Sequence, residues 1–199
     1  MKINRIVVAT NNQGKLREIR KMLEPYLIEV LSLKDINIEA DIEETGKTFE
    51  ENAEIKAEAV MKLCNLPTIA DDSGLSVDAL DGAPGVYSAR YAGENKTDTD
   101  RINKLLLDIK GVPEEKRGAE FVSALCFKSP DGRGFVVTGK CRGVITFEPK
   151  GENGFGYDPI FYVPGLNKTF AELPDDVKNQ ISHRANAMKL FLKKFNELI

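Results

Sequence analysis

Two adjacent carboxylates, Asp71 and Asp72, follow the short apolar pair Ile69-Ala70 and are broken off by Ser73-Gly74. The apolar pair reads as the end of a buried strand, so both carboxylates are expected at its carboxyl edge, where open α/β sheets bind ligands. Neighbouring carboxylates repel and are costly to desolvate unless a cation or hydrogen-bond donors offset them. A divalent metal together with phosphate oxygens is one solution, since Mg²⁺ prefers hard oxygen ligands and keeps part of its water shell. A solvated turn with an Asx-type bond is the competing reading of these five residues. A second acidic group lies upstream, in Glu43-Glu44-Thr45-Gly46. It precedes a helix expected from Phe49 to Cys64, on which Asn52 and Lys56 lie four apart and share a face. The strand after that helix is expected to end at Asp72, so a loop carboxylate can meet the acidic pair.

Three further segments carry chemistry. Thr10-Asn11-Asn12-Gln13-Gly14-Lys15 is a polar turn at a helix N-terminus, where free N–H groups and the helix dipole favour anions. Lys15 adds a mobile point charge suited to phosphate. The spacing is not that of a Walker A loop, and an ordinary strand-to-helix connection remains the alternative. Gly154-Phe155-Gly156-Tyr157-Asp158-Pro159 lets the backbone approach a ligand closely and leaves the Phe155 ring free to stack, or is simply a hairpin turn with a core aromatic. In Ile181-Ser182-His183-Arg184, Ser182 is a plausible N-cap for the last helix. The single histidine, His183, excludes any multi-histidine zinc site.

These groups need positioning elements. Ile6 to Ala9 reads as a strand, and Leu16, Ile19 and Leu23 as the buried stripe of a helix whose other face carries Arg17, Glu18 and Lys21. Pro25 ends that helix and Ile28 to Leu31 forms the next strand, a βαβ opening. In the second helix Phe49, Ala53, Ala57, Val60 or Met61 and Cys64 point inward. A small-residue loop, Gly82 to Tyr91, precedes a third helix from about Thr99 to Ile109. Ala119 to Lys128 and Gly134 to Arg142 flank Ser129-Pro130-Asp131-Gly132 as a β-hairpin. Ala187, Met188, Phe191, Phe195 and Leu198 form the stripe of the last helix.

Composition bounds the rest. The 199 residues suffice for one large domain or two closely joined lobes, interleaved in sequence because no linker or repeat separates them. A net charge of -3 argues against a general nucleic-acid binder but not against a small anionic ligand. Cys64, Cys126 and Cys141 form no Cys-x-x-Cys and read as buried free thiols. The apolar run Ile6 to Ala9 is too short for a secretory signal, and nothing approaches a membrane span, so a cytoplasmic protein is expected.

Taken together, Thr10-Asn11-Asn12-x-x-Lys15, Glu43-Glu44-Thr45-Gly46, Phe49-x-Glu51-Asn52-Ala53-x-x-Lys56-Ala57, Ala70-Asp71-Asp72-Ser73-Gly74, the Gly82-to-Tyr91 loop, Gly154-to-Pro159 and Ser182-His183-Arg184 resemble the motifs of the inosine triphosphate pyrophosphatases. These are the bacterial non-canonical purine nucleoside triphosphate pyrophosphatases. The resemblance covers nearly the full chain, in the family's order. It implies a single domain over residues 1–199, with an elongated central mixed sheet, flanking helices and two lobes around an active-site cleft. It also implies a homodimer and Mg²⁺-dependent hydrolysis of ITP, dITP or XTP to the monophosphate and pyrophosphate.

By that carry-over Thr10, Asn11, Asn12, Gln13, Gly14, Lys15 and Ser73 hold the triphosphate, and Lys56 joins the substrate-binding residues. Glu43 or Glu44 with Asp72 serves the metal, Asp72 acts as the base beside Asp71, and Phe155, Gly156, Tyr157, Asp158, Lys178, His183 and Arg184 form the nucleobase pocket. The chemistry is consistent, because phosphoanhydride hydrolysis needs charge neutralisation and an in-line water more than a covalent nucleophile. Two other classes compete: a non-catalytic nucleotide-binding regulator, and a phosphoryl-transfer enzyme forming an aspartyl-phosphate on Asp71 or Asp72.

Overall fold

The computed structural model describes residues 3–39 and 42–198. Its chain order is β1 (Arg5–Val8), α1 (Gln13–Leu23), β2 (Glu29–Ser32), α2 (Phe49–Cys64), β3 (Thr68–Val77), α3 (Asp98–Asp108), β4 (Gly118–Lys128), β5 (Gly134–Ile145), β6 (Phe161–Val163), β7 (Lys168–Thr169), α4 (Asp175–Ile181) and α5 (His183–Leu198). The strands form one mixed sheet in the order β2-β1-β3-β4-β5-β6-β7. β1 runs parallel to β2 and to β3, with Val7 opposite both Leu31 and Thr68. At the other edge β5, β6 and β7 pair antiparallel. The α/β class and the mixed sheet expected from the sequence are present.

The chain forms two compact units. The first comprises Met1–Asp72, Ser123–Gly139 and Arg184–Ile199, and the second Ser73–Val122 and Lys140–His183. In the first unit, Ile6 and Val8 of β1 and Ile69 of β3 pack with Leu16, Ile19 and Leu23 of α1 and with Ala187, Met188, Phe191 and Phe195 of α5. These are the helical stripes read from the sequence, and apolar burial on this scale is what holds the helices on the sheet. In the second unit Leu75, Ile102, Leu105, Phe121, Ile160, Phe161 and Phe170 form a separate aromatic-rich core, in which Phe121 meets Phe161 with ring centroids 4.5 Å apart.

Local chemistry sets the helix ends. Asn12 caps α1 by accepting from the backbone N–H groups of Gly14 and Lys15, and α2 and α3 begin with reciprocal capping boxes, Thr48 with Glu51 and Thr97 with Asp100. The turn between β4 and β5 is closed by Ser129 N–H to Arg133 C=O at 2.9 Å, with Gly132 in the left-handed region at φ +87°.

One expectation is corrected. The strand carrying the acidic pair does not end at Asp72. β3 continues through Ser73 and Gly74 to Val77, so the two carboxylates lie in mid-strand. Serine and glycine permit this extension because Gly74, Leu75 and Val77 are buried, and their burial in the second unit outweighs the weak strand preference of Ser-Gly. β5 likewise outruns its expected end at Arg142 and reaches Ile145.

Candidate active site

The first unit places two adjacent carboxylates in unlike surroundings. Asp71 is fully enclosed. Its Oδ1 accepts from Ser123 Oγ at 2.9 Å, its Oδ2 from Arg184 Nε at 2.9 Å, and Lys15 Nζ stands 3.4 Å from Oδ2. Arg184 is itself 1% exposed and pairs through Nη1 with Glu18 of α1. Burial pushes the Asp71 carboxyl upward, but the charges of Lys15 and Arg184 outweigh it and hold the group well below the usual carboxylate range. Burial lowers the Lys15 ammonium against the opposing pull of Asp71. Asp71 is thus a fixed anion.

Asp72 is poised differently. Its Oδ1 accepts from Lys56 Nζ at 2.9 Å, while its buried Oδ2 has no hydrogen-bond partner among the described residues. Lys56 Nζ also donates to Glu44 Oε1 at 2.8 Å and to the Asp71 carbonyl at 3.1 Å. Burial raises the Asp72 carboxyl above its ordinary value, only partly countered by Lys56 and Lys15. Burial lowers Lys56, but Asp72 and Glu44 reverse this and keep it charged. A carboxylate with a raised affinity for protons beside one locked as an anion is an arrangement suited to moving a proton.

Of the expected loop carboxylates, Glu44 reaches this cluster through Lys56, whereas Glu43 is exposed. The Thr10-to-Lys15 turn folds as anticipated at the start of α1, with Asn12 spent on the cap and Asn11 and Gln13 exposed. Thr10 Oγ1 accepts from Asn12 N–H at 3.2 Å. Among the described residues no three His, Cys, Asp or Glu side chains gather as a metal cluster; Glu44 and Asp72 meet through the shared Lys56 ammonium.

The second unit holds the remaining candidates. Asp158 Oδ2 accepts from Lys178 Nζ at 2.7 Å and from the Phe155 backbone N–H at 2.8 Å, with Asp158 and Lys178 only 3% and 4% exposed. Lys178 Nζ lies 4.8 Å from the Phe155 ring centroid, within cation–π range. Gly154 must be glycine twice over. Its φ of +80° is left-handed, and a Cβ there would collide with the Asp158 carboxylate. Gly156, at φ +64°, donates its N–H to Asp98 Oδ2 at 2.7 Å, and Tyr157 Oη donates to the Ser88 carbonyl at 2.9 Å. The loop is therefore tied down at each residue from Phe155 to Asp158. His183 is buried and stacks on Phe121 with centroids 4.7 Å apart. Ser182 lies between α4 and α5, and Ser73 is half-buried in β3.

Several participants escaped the sequence reading. Ser123 sits in an apolar strand run and carries no local signal. Glu18 fell on the face of α1 read as solvated, yet it meets Arg184. Asp98 announces only a helix start, and its use on Gly156 is a tertiary fact.

Comparison with known proteins places the chain in a family. Residues 6–194 match the Ham1 family. The chain is 54% identical over 187 residues to the dITP/XTP pyrophosphatase of Bacillus subtilis (strain 168), covering 94% of each protein. It superposes on the Staphylococcus aureus Ham1 protein with a TM-score of 0.88 and 47% identity, over 98% of this chain and 100% of that one. The nucleoside-triphosphatase / dITP/XTP pyrophosphatase of Mycobacterium abscessus gives a TM-score of 0.77 at 44% identity, over 94% and 98%. With sequence and fold alike shared over nearly its whole length, the chain belongs to the Ham1 family.

Proposed function

We propose that this protein hydrolyses non-canonical purine nucleoside triphosphates (ITP, dITP and XTP) to the nucleoside monophosphate and pyrophosphate, and so removes them from the nucleotide pool. The observation that carries the reading is the unlike pair on β3, Asp71 locked by Arg184 and Ser123, and Asp72 poised with one buried oxygen uncommitted. Relatives about half identical to it are named dITP/XTP pyrophosphatases, which supports the substrate class.

Asp72 accepts the proton of the attacking water. Lys15 and Lys56 neutralise the triphosphate, and the Thr10-to-Lys15 turn at the start of α1 lies against its oxygens. The residues present fit a divalent cation, because Asp72 Oδ2 is a buried, unpartnered hard donor and Glu44 stands beside it on the same lysine. Glu44 and Asp72 would hold Mg²⁺. When bound, Mg²⁺ supplies charge neutralisation at the phosphates and lowers the pKa of a water. In the second unit Phe155 offers a stacking face for the purine, and Lys178 and His183 offer donors toward a 6-oxo acceptor. A homodimer in the cytoplasm completes the reading.

The test is a nucleotide panel with product identification at saturating Mg²⁺. Pyrophosphate from ITP, dITP and XTP is expected, with kcat/KM on the order of 10²-fold or more above ATP, since a donor facing the adenine amino group is left unpaired. A wild-type chain that hydrolyses ATP as well as ITP would sink the base-pocket assignment. Release of orthophosphate with label trapped on the protein would favour an aspartyl-phosphate enzyme instead.

A further inference from the structure

Asn52 lies on α2 one turn before Lys56 and is completely buried, an unusual place for a carboxamide. Its Oδ1 accepts from the backbone N–H of Gly46 at 2.8 Å, and its Nδ2 has no hydrogen-bond partner among the described residues. The orientation follows from chemistry, since Gly46 N–H needs an acceptor and the flipped amide would oppose two donors. A buried donor without a partner carries a desolvation cost that an apolar side chain of similar volume would avoid. The acceptor, not the packing, is therefore the reason for asparagine here.

Gly46 is matched to it. A Cβ on Gly46 would stand 2.6 Å from Asn52 Oδ1 and 2.7 Å from Glu51 Cβ. Glu51 Oε2 takes the next amide, Lys47 N–H, at 2.6 Å. Two successive backbone donors are thus fastened to two successive side chains of α2. Glu44, two residues upstream of the tether, reaches Lys56 Nζ at 2.8 Å, and the same ammonium meets Asp72 Oδ1 at 2.9 Å.

We infer that Asn52 is a positioning residue, fastening the Glu43-to-Gly46 segment to α2 so that the Glu44 carboxylate is held beside Asp72. The consequence for cation binding rests on the function proposed above, in which Glu44 and Asp72 share the metal. Residues that orient metal ligands from behind typically change metal affinity by about 10–100-fold when removed.

The experiment titrates Mn²⁺ into nucleotide-free protein and reads free Mn²⁺ by electron paramagnetic resonance. Asn52→Ala is expected to weaken Mn²⁺ binding about tenfold or more. It should raise the metal concentration for half-maximal hydrolysis by the same factor, with a much smaller change in nucleotide KM at saturating metal. Gly46→Ala attacks the same contact from its other side and should give the same loss, and the double variant should be no worse than either single one. Asn52→Asp, which keeps the acceptor, should bind Mn²⁺ better than Asn52→Ala. Unchanged Mn²⁺ affinity in folded Asn52→Ala or Gly46→Ala overturns the inference, even if the melting temperature falls. So does a wild-type chain that binds no Mn²⁺. A wild type that binds Mn²⁺ in the expected pattern yet releases no pyrophosphate from ITP would overturn the proposed function and leave the tether standing.

Discussion

Replacing Arg184 with methionine removes the cation from a buried chain of charges while keeping much of its volume. Asp71 would retain Ser123 at 2.9 Å and Lys15 at 3.4 Å, but lose the 2.9 Å bond from Nε, and Glu18 would lose its pairing as well. Removing one partner of a buried pair costs about 3–5 kcal/mol, because the remaining carboxylate stays desolvated without its counter-charge. At about 2–4 °C per kcal/mol for a chain of this size, the melting temperature should fall by roughly 6–20 °C. The effect should depend on pH. In the wild type the Asp71 carboxyl is held below its ordinary value, so the stability it contributes is present above the unfolded-state pKa and is lost only as pH falls through the lower folded value. In Arg184→Met the carboxyl loses the guanidinium's pull and rises from its wild-type value, so it takes up protons at a higher pH than wild type and the gap between the two proteins narrows on going from neutral pH toward about pH 4. Thermal unfolding followed by circular dichroism at both pH values reads this directly. Adding Asp71→Leu to Arg184→Met should restore part of the loss, since no unpaired anion then remains on β3. An Arg184→Met protein within about 1 kcal/mol of wild type at neutral pH would refute the claim that Arg184 secures Asp71, as that is the range of an exposed pair.

Asp72→Asn should lower kcat by roughly 10²–10⁴-fold with the fold intact, because asparagine is nearly isosteric yet takes no proton; near wild-type turnover at saturating Mg²⁺ would remove Asp72 from the mechanism. Lys15→Ala should raise KM for the nucleoside triphosphate more than it lowers kcat, and an unchanged KM would return the Thr10-to-Lys15 turn to a purely structural role. Burial pushes the Cys126 thiol up to about 12, so the native protein at pH 8 should leave it unlabelled by a disulfide reagent while the unfolded chain reacts; fast labelling of native Cys126, located by peptide mapping, would show the thiol to be accessible.

What the sequence by itself determined was local. The span Phe49 to Cys64 was read from periodicity and is α2 residue for residue, because its apolar stripe and its caps lie within a few turns of each other. The same holds for α1 after Asn12, for the turn between β4 and β5, and for the glycines that free the backbone around Phe155. Motif order was enough to bring the family into view. The tertiary structure decided the partners. Asp71 takes its hydroxyl from 52 residues away and its guanidinium from 113, while that guanidinium meets a glutamate at a separation of 166. No local pattern encodes such pairings, since each side chain alone is equally compatible with a solvated surface. Whether Asp71 and Asp72 end a strand or sit within it depended on burial of Leu75 and Val77 in the second unit's core, not on the Ser-Gly that follows the pair. That Glu44 and not Glu43 meets Lys56 is likewise tertiary, since the two side chains are identical and the backbone around them is fastened by Asn52 of α2.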